Sequence, residues 1–74
     1  MNEINIEYIL DLIKNRKFSL LKEELSSLQP PDIALIFEEL PEKDVIVLFR
    51  LLPKELASEV FVEMESDKQQ LLIE

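Results

Sequence analysis

The chain has 74 residues, with 16 Asp and Glu against 8 Lys and Arg, for a formal net charge of −8. That length holds one domain at most, and the negative field repels nucleic acid and anionic lipid heads, which excludes roles that depend on gripping either. Cys and His are absent, removing disulfides, thiolate sites and imidazole ligands; Gly is absent too, which disfavours hairpin-rich sheets.

With 47% hydrophobic and 32% charged residues the composition is globular rather than disordered. The longest apolar run, Val45 to Phe49, falls far short of the roughly 20 residues of a membrane-spanning helix. The opening MNEINIEY carries acid rather than base, unlike a secretory leader.

In chain order, Ile6, Ile9, Leu12 and Ile13 form the apolar stripe of a first helix ending near Lys14. Asn15-Arg16-Lys17 reads as a polar turn. Phe18, Leu21, Leu25 and Leu28 make the stripe of a second helix. A repeat follows. The segments Leu28–Leu40, Leu40–Leu52 and Leu52–Met64 superimpose at a spacing of twelve. Ile33, Val45 and Ala57 align. So do Ile36, Leu48 and Val60, and Phe37, Phe49 and Phe61. Leu40, Leu52 and Met64 close the units.

Within each unit the apolar spacing is i, i+3, i+4, i+7, one face of an α-helix. Breaks fall at Pro30-Pro31, Pro41 and Pro53, where proline ends one helix and seeds the next. Asp32, Glu42, Asp44 and Glu55 then fall in first turns, where acid complements the helix dipole. A fourth unit starts with Ser66-x-x-Gln69, a capping-box pattern, and brings Leu72 and Ile73 into register.

The expected fold is all-α: about six short helices with a 12-residue repeat, forming a compact armadillo-like solenoid, a superhelix of right or left hand. Helices this short do not persist alone and must bury their stripes against neighbours. Residues 1–74 are expected to form a single helical-repeat domain. Its open last unit leaves Leu71, Leu72 and Ile73 needing cover, as in the N-terminal piece of something longer.

Catalysis is not expected. Ser19, Ser26, Ser27, Ser58 and Ser66 have no base among neighbouring residue types, and no Gly-rich phosphate loop exists. The phenylalanines at equivalent repeat positions are expected in the core rather than in a ligand pocket. Glu23-Glu24 and Glu38-Glu39 are neighbours in sequence that splay apart on a helix, and are read as solubilising. Lys14, Arg16 and Lys17 suit the end of the first helix and are too few for a nucleic-acid footprint.

The most informative polar feature is Glu55, Glu59 and Glu63, spaced i, i+4, i+8 so that they stack on one helix face. Like charges at that spacing repel by a few tenths of a kcal/mol per pair. Such a row either faces water or is offset by a cation or a basic partner. Oxygen ligands alone suit Mg²⁺ or Ca²⁺, and no EF-hand loop is present.

The segment LQPPDIALIFEELPEKDVIVLFRLLPKELASEVFVEM resembles the N domain of the MgtE family of magnesium transporters. The resemblance is carried by Pro30, Asp32, Ile33 and Ala34, then Leu40-Pro41, then Leu51-Leu52-Pro53-Lys54, then Ala57 and Glu59-Val60. Residues 13–28 resemble the helix pair that opens that domain. The resemblance implies a helical superhelix on the cytoplasmic face of the cell membrane. It also implies two partners in the same homodimeric parent: a paired cystathionine-β-synthase-type (CBS) domain and a membrane domain.

It further implies regulatory Mg²⁺ held by acidic side chains between the N and CBS domains, closing the pore when abundant. The Glu of the matched Ala-x-Glu-Val stretch is Glu59, the residue carried over as a magnesium ligand, with Glu55 and Glu63 as weaker candidates. By this resemblance the N domain continues past the last residue here, so the chain is the N-terminal part of it. Transport by the chain itself and tight ion binding are not expected. A rival reading is a protein–protein module like the helical domains of the flagellar motor switch protein, which share short helices with Leu-Pro starts.

Overall fold

The computed structural model describes residues 5–73; the start of the acidic opening stretch, residues 1–4, lies outside them. Six helices follow in order: α1 (Ile6–Lys14), α2 (Phe18–Ser26), α3 (Pro30–Glu39), α4 (Glu42–Leu51), α5 (Lys54–Glu63) and α6 (Ser66–Ile73). Among the described residues there is no strand.

Each boundary has a local cause. The Asn5 side chain accepts from the Tyr8 N–H at 3.1 Å and starts α1. Its other end closes as a Schellman motif, in which Lys17 N–H donates to the Leu12 carbonyl and Arg16 N–H to that of Ile13. The motif needs a left-handed residue, and Arg16 takes it with φ 56°. Asn15, the better left-handed former, is one place too early; its amide caps the Asp11 carbonyl at 2.9 Å instead.

Pro30 and Pro31 occupy the first two positions of α3, where a missing N–H is harmless. Pro41 and Pro53 sit one step earlier, at the N-caps of α4 and α5. The residue before each is extended, as proline demands: ψ is 154° at Leu40 and 143° at Leu52. Met64 has ψ 153° although Glu65, not proline, follows. Each joint therefore pairs a buried apolar residue (Leu40, Leu52 or Met64) with the start of the next helix. First turns carry Asp32, Glu42 with Asp44, Glu55 and Asp67, so the expected dipole complementarity holds.

Packing joins helices two apart in the chain. The most extensive contact is α3 on α5; α2 packs on α4 and α4 on α6, while α1 and α2 form the opening hairpin. The radius of gyration, 11.2 Å with extents of 27 × 26 × 20 Å, matches the roughly 11 Å of a close-packed chain of this length. The core holds Ile9, Leu12, Leu21, Leu25, Ile33, Ile36, Phe37, Val45, Leu48 and Val60, which are the stripe positions read from the periodicity. Burial fades toward α6, which buries no residue fully. Leu72 packs partly against the core, and Ile73 is 67% exposed.

Two expectations need correction. The aligned phenylalanines are not equivalent. Phe37 is fully buried; Phe49 and Phe61 are half-buried and meet each other in a tilted pair, ring centroids 6.4 Å apart. Phe37 lies on α3, which makes the most extensive helix–helix contact of the fold, with α5. The capping box also does not form. Ser66 is already helical, and the Gln69 amide donates to the Phe61 carbonyl at 2.7 Å, a second bond beside the one that this carbonyl accepts from the Met64 N–H at the end of α5.

Candidate cation-binding face

Helix α5 turns only Val60 fully inward. Glu55, Glu59 and Glu63 are all exposed, as their spacing requires once Val60 and the half-buried Leu56, Ala57 and Phe61 face the neighbouring helices. Glu59 stands in the middle of the row, and Ser58 beside it returns its hydroxyl to the Lys54 carbonyl at 3.2 Å. Successive carboxylates along such a row start from Cβ atoms about 5–6 Å apart and diverge with the helix surface.

Among the described residues no three Asp, Glu, His or Cys side chains converge on a point where a metal could sit. The row by itself therefore forms no multidentate metal site. It offers hard oxygen donors one at a time, whereas Mg²⁺ commonly takes one or two carboxylates and keeps its own waters.

The structure separates Glu63 from its two companions. Glu63 lines a groove of about 230 Å³ with Glu65 and with Pro31, Ala34, Leu35 and Glu38 of α3. Glu38 and Leu35 also line a second groove, of about 390 Å³, next to Ile6, Ile36 and Glu39. Glu38 and Glu39, read from sequence as merely solubilising, thus border the same concavity. The basic turn residues Lys14, Arg16 and Lys17 are exposed.

The family profile of the MgtE intracellular N domain matches residues 28–74, well over half of the chain. The chain belongs to that family. The match begins at Leu28, where the twelve-residue repeat begins, and covers α3 to α6. Membership associates this N domain with a magnesium transporter and with a family that is not one of enzymes. It also favours the transporter reading over the motor-switch one. No curated protein is similar enough to the chain to count as a relative. None of the described helices is long and apolar enough to cross a membrane.

Proposed function

We propose that this N domain is the cytoplasmic regulatory part of a magnesium transporter, sensing Mg²⁺ by packing against a CBS domain through ion bridges. The observation that carries the reading is the exposed Glu59 at the centre of an acidic row, on a chain of the MgtE N-domain family. Glu59 supplies one carboxylate oxygen to the bridging ion, with Glu55 and Glu63 holding the local potential negative and serving as secondary ligands.

A bound Mg²⁺ screens the like-charge row and links it to donors on the CBS side. Ion binding then favours the packed arrangement, and its loss frees the N domain, by differential affinity for the two states. The parent acts as a homodimer with this domain at the cytoplasmic face of the membrane. Stacking of α2 on α4, α3 on α5 and α4 on α6 supports the superhelical solenoid, of either hand, as the framework.

The test is magnesium-dependent flux in a full-length transporter carrying this domain. Glu59→Ala is expected to move closure to higher Mg²⁺. An unshifted response removes Glu59 from the mechanism. A parallel titration with Ca²⁺ and Na⁺ separates ion bridging from general screening, and absence of any divalent effect favours a protein–protein module instead.

A further inference from the structure

Leu35 has no part in the magnesium reading, which touches its surroundings only through the secondary candidate Glu63. It is 62% exposed. In the twelve-residue register it stands level with Val47 and Glu59, a position that faces outward in each unit. Packing of the core therefore gives no reason for an apolar residue there. Leu35 instead forms, with Pro31 and Ala34, the apolar floor of the groove between α3 and the end of α5. Glu38, Glu63 and Glu65 rim that floor, and Glu39 extends the acid rim on the far side of Leu35. None of the described residues lining either groove is Lys or Arg.

We propose that this face docks a basic amphipathic helix of another polypeptide. The helix sets one apolar side chain beside Leu35 and its Lys or Arg side chains against Glu38, Glu63 and Glu65. The apolar floor argues against a bare cation, which gains nothing from Pro31, Ala34 and Leu35. The acid rim argues against anionic lipid and nucleic acid. A second copy of this chain would bring another −8 of charge to the contact, so the occupant is net basic and different from this chain. A groove bounded by helices suits the helix-in-groove mode of recognition, in which an apolar residue anchors and flanking charges select.

The experiment uses the 74-residue chain without Mg²⁺, isotope-labelled for amide NMR. The probe is a synthetic amphipathic helix of Leu and Lys; the control peptide has the same charge with Ser in place of Leu. The expected result is a set of shift changes centred on Pro31–Glu38 and Glu63–Glu65. The control peptide and the Leu35→Ser variant, which removes the apolar contact without adding charge, should each bind about tenfold more weakly. Affinity should also fall as salt rises from about 0.05 to about 0.3 M, because the rim charges become screened.

Leu35 is exposed, so the variant should fold; its helical circular dichroism and its remote amide shifts verify this. If it does not fold, Glu38→Lys with Glu63→Lys serves the same purpose. Shift changes spread over the whole acidic surface, equal binding of the Ser control, or no loss in folded Leu35→Ser each overturn the proposal. So does a concentration-dependent dimer abolished by Leu35→Ser, which assigns the face to a second copy. Glu59 does not line the groove, so Glu59→Ala should leave peptide binding unchanged, and failure of the primary magnesium ligand is thereby distinguished from failure of the docking proposal.

Discussion

Truncating the three repeat-equivalent phenylalanines one at a time should give unequal losses, although the sequence makes them look alike. Phe37 has no exposed surface. Its replacement by Ala removes a fully buried ring and leaves a cavity, at about 3–5 kcal/mol. A chain of this length has a total stability of roughly 4–11 kcal/mol, so Phe37→Ala is expected to be largely unfolded or close to it. Phe49 and Phe61 are half-buried; each truncation should cost about 1.5–3 kcal/mol, less than the full core value.

These two rings also touch, at 6.4 Å and 60° between planes. The double variant should therefore show a coupling of about 0.5–1.5 kcal/mol. Urea unfolding followed by circular dichroism at fixed protein concentration measures all of this, with Phe37→Leu as a milder probe that keeps the domain folded. Equal losses at positions 37 and 49 would refute the argument from burial and restore the three sites as structural equivalents. Additive losses at positions 49 and 61 would mean that the tilted pair contributes nothing beyond area.

Arg16→Gly should stabilise the chain by roughly 0.5–1 kcal/mol, read as a higher urea midpoint, because glycine takes the left-handed geometry at 16 without a steric penalty and this gain exceeds its extra unfolded-state entropy. Gln69→Ala should cost about 1 kcal/mol and speed amide exchange in α6 selectively, since its amide is the side-chain tie from α6 to the end of α5. Glu59→Gln should leave the isolated chain as stable or raise it by a few tenths of a kcal/mol through relief of like-charge repulsion along α5. Sodium chloride should raise the stability of the unaltered chain by screening its net charge of −8; a flat response would show that the carboxylates are already too dispersed to repel.

The helices were legible because apolar periodicity and proline reported on the same boundaries. Pro30, Pro41 and Pro53 mark three of the five joints, and the stripes of α2 to α4 supplied core at Leu21, Leu25, Ile33, Ile36, Val45 and Leu48, while Phe18, Leu28 and Phe49 of the same stripes are only half-buried. What the repeat concealed was position along the stack. A pattern with period twelve assigns the same environment to Phe37 and Phe61, or to Ile36 and Leu72, while burial depends on how many neighbouring units flank each one. Arg16 was unreadable for another reason: left-handed caps are recognised by Gly or Asn, and here Asn15 is displaced by one position.

The exposure of the Glu55, Glu59 and Glu63 row followed directly from its spacing. The Leu35 groove did not, because Glu38 and Glu63 are far apart in sequence and meet only through the packing of α3 on α5. The register did hold one clue, since Leu35 occupies the same outward position as Glu59.

The joints at Leu40-Pro41 and Leu52-Pro53 bear on how such a domain moves. Hinges need backbone that can change its dihedral angles freely, and this chain offers little of it. Glycine is absent, proline fixes φ on one side of each of these joints, and a buried leucine pins the other. These two joints are therefore poor hinges, and α3, α4 and α5 are expected to shift together.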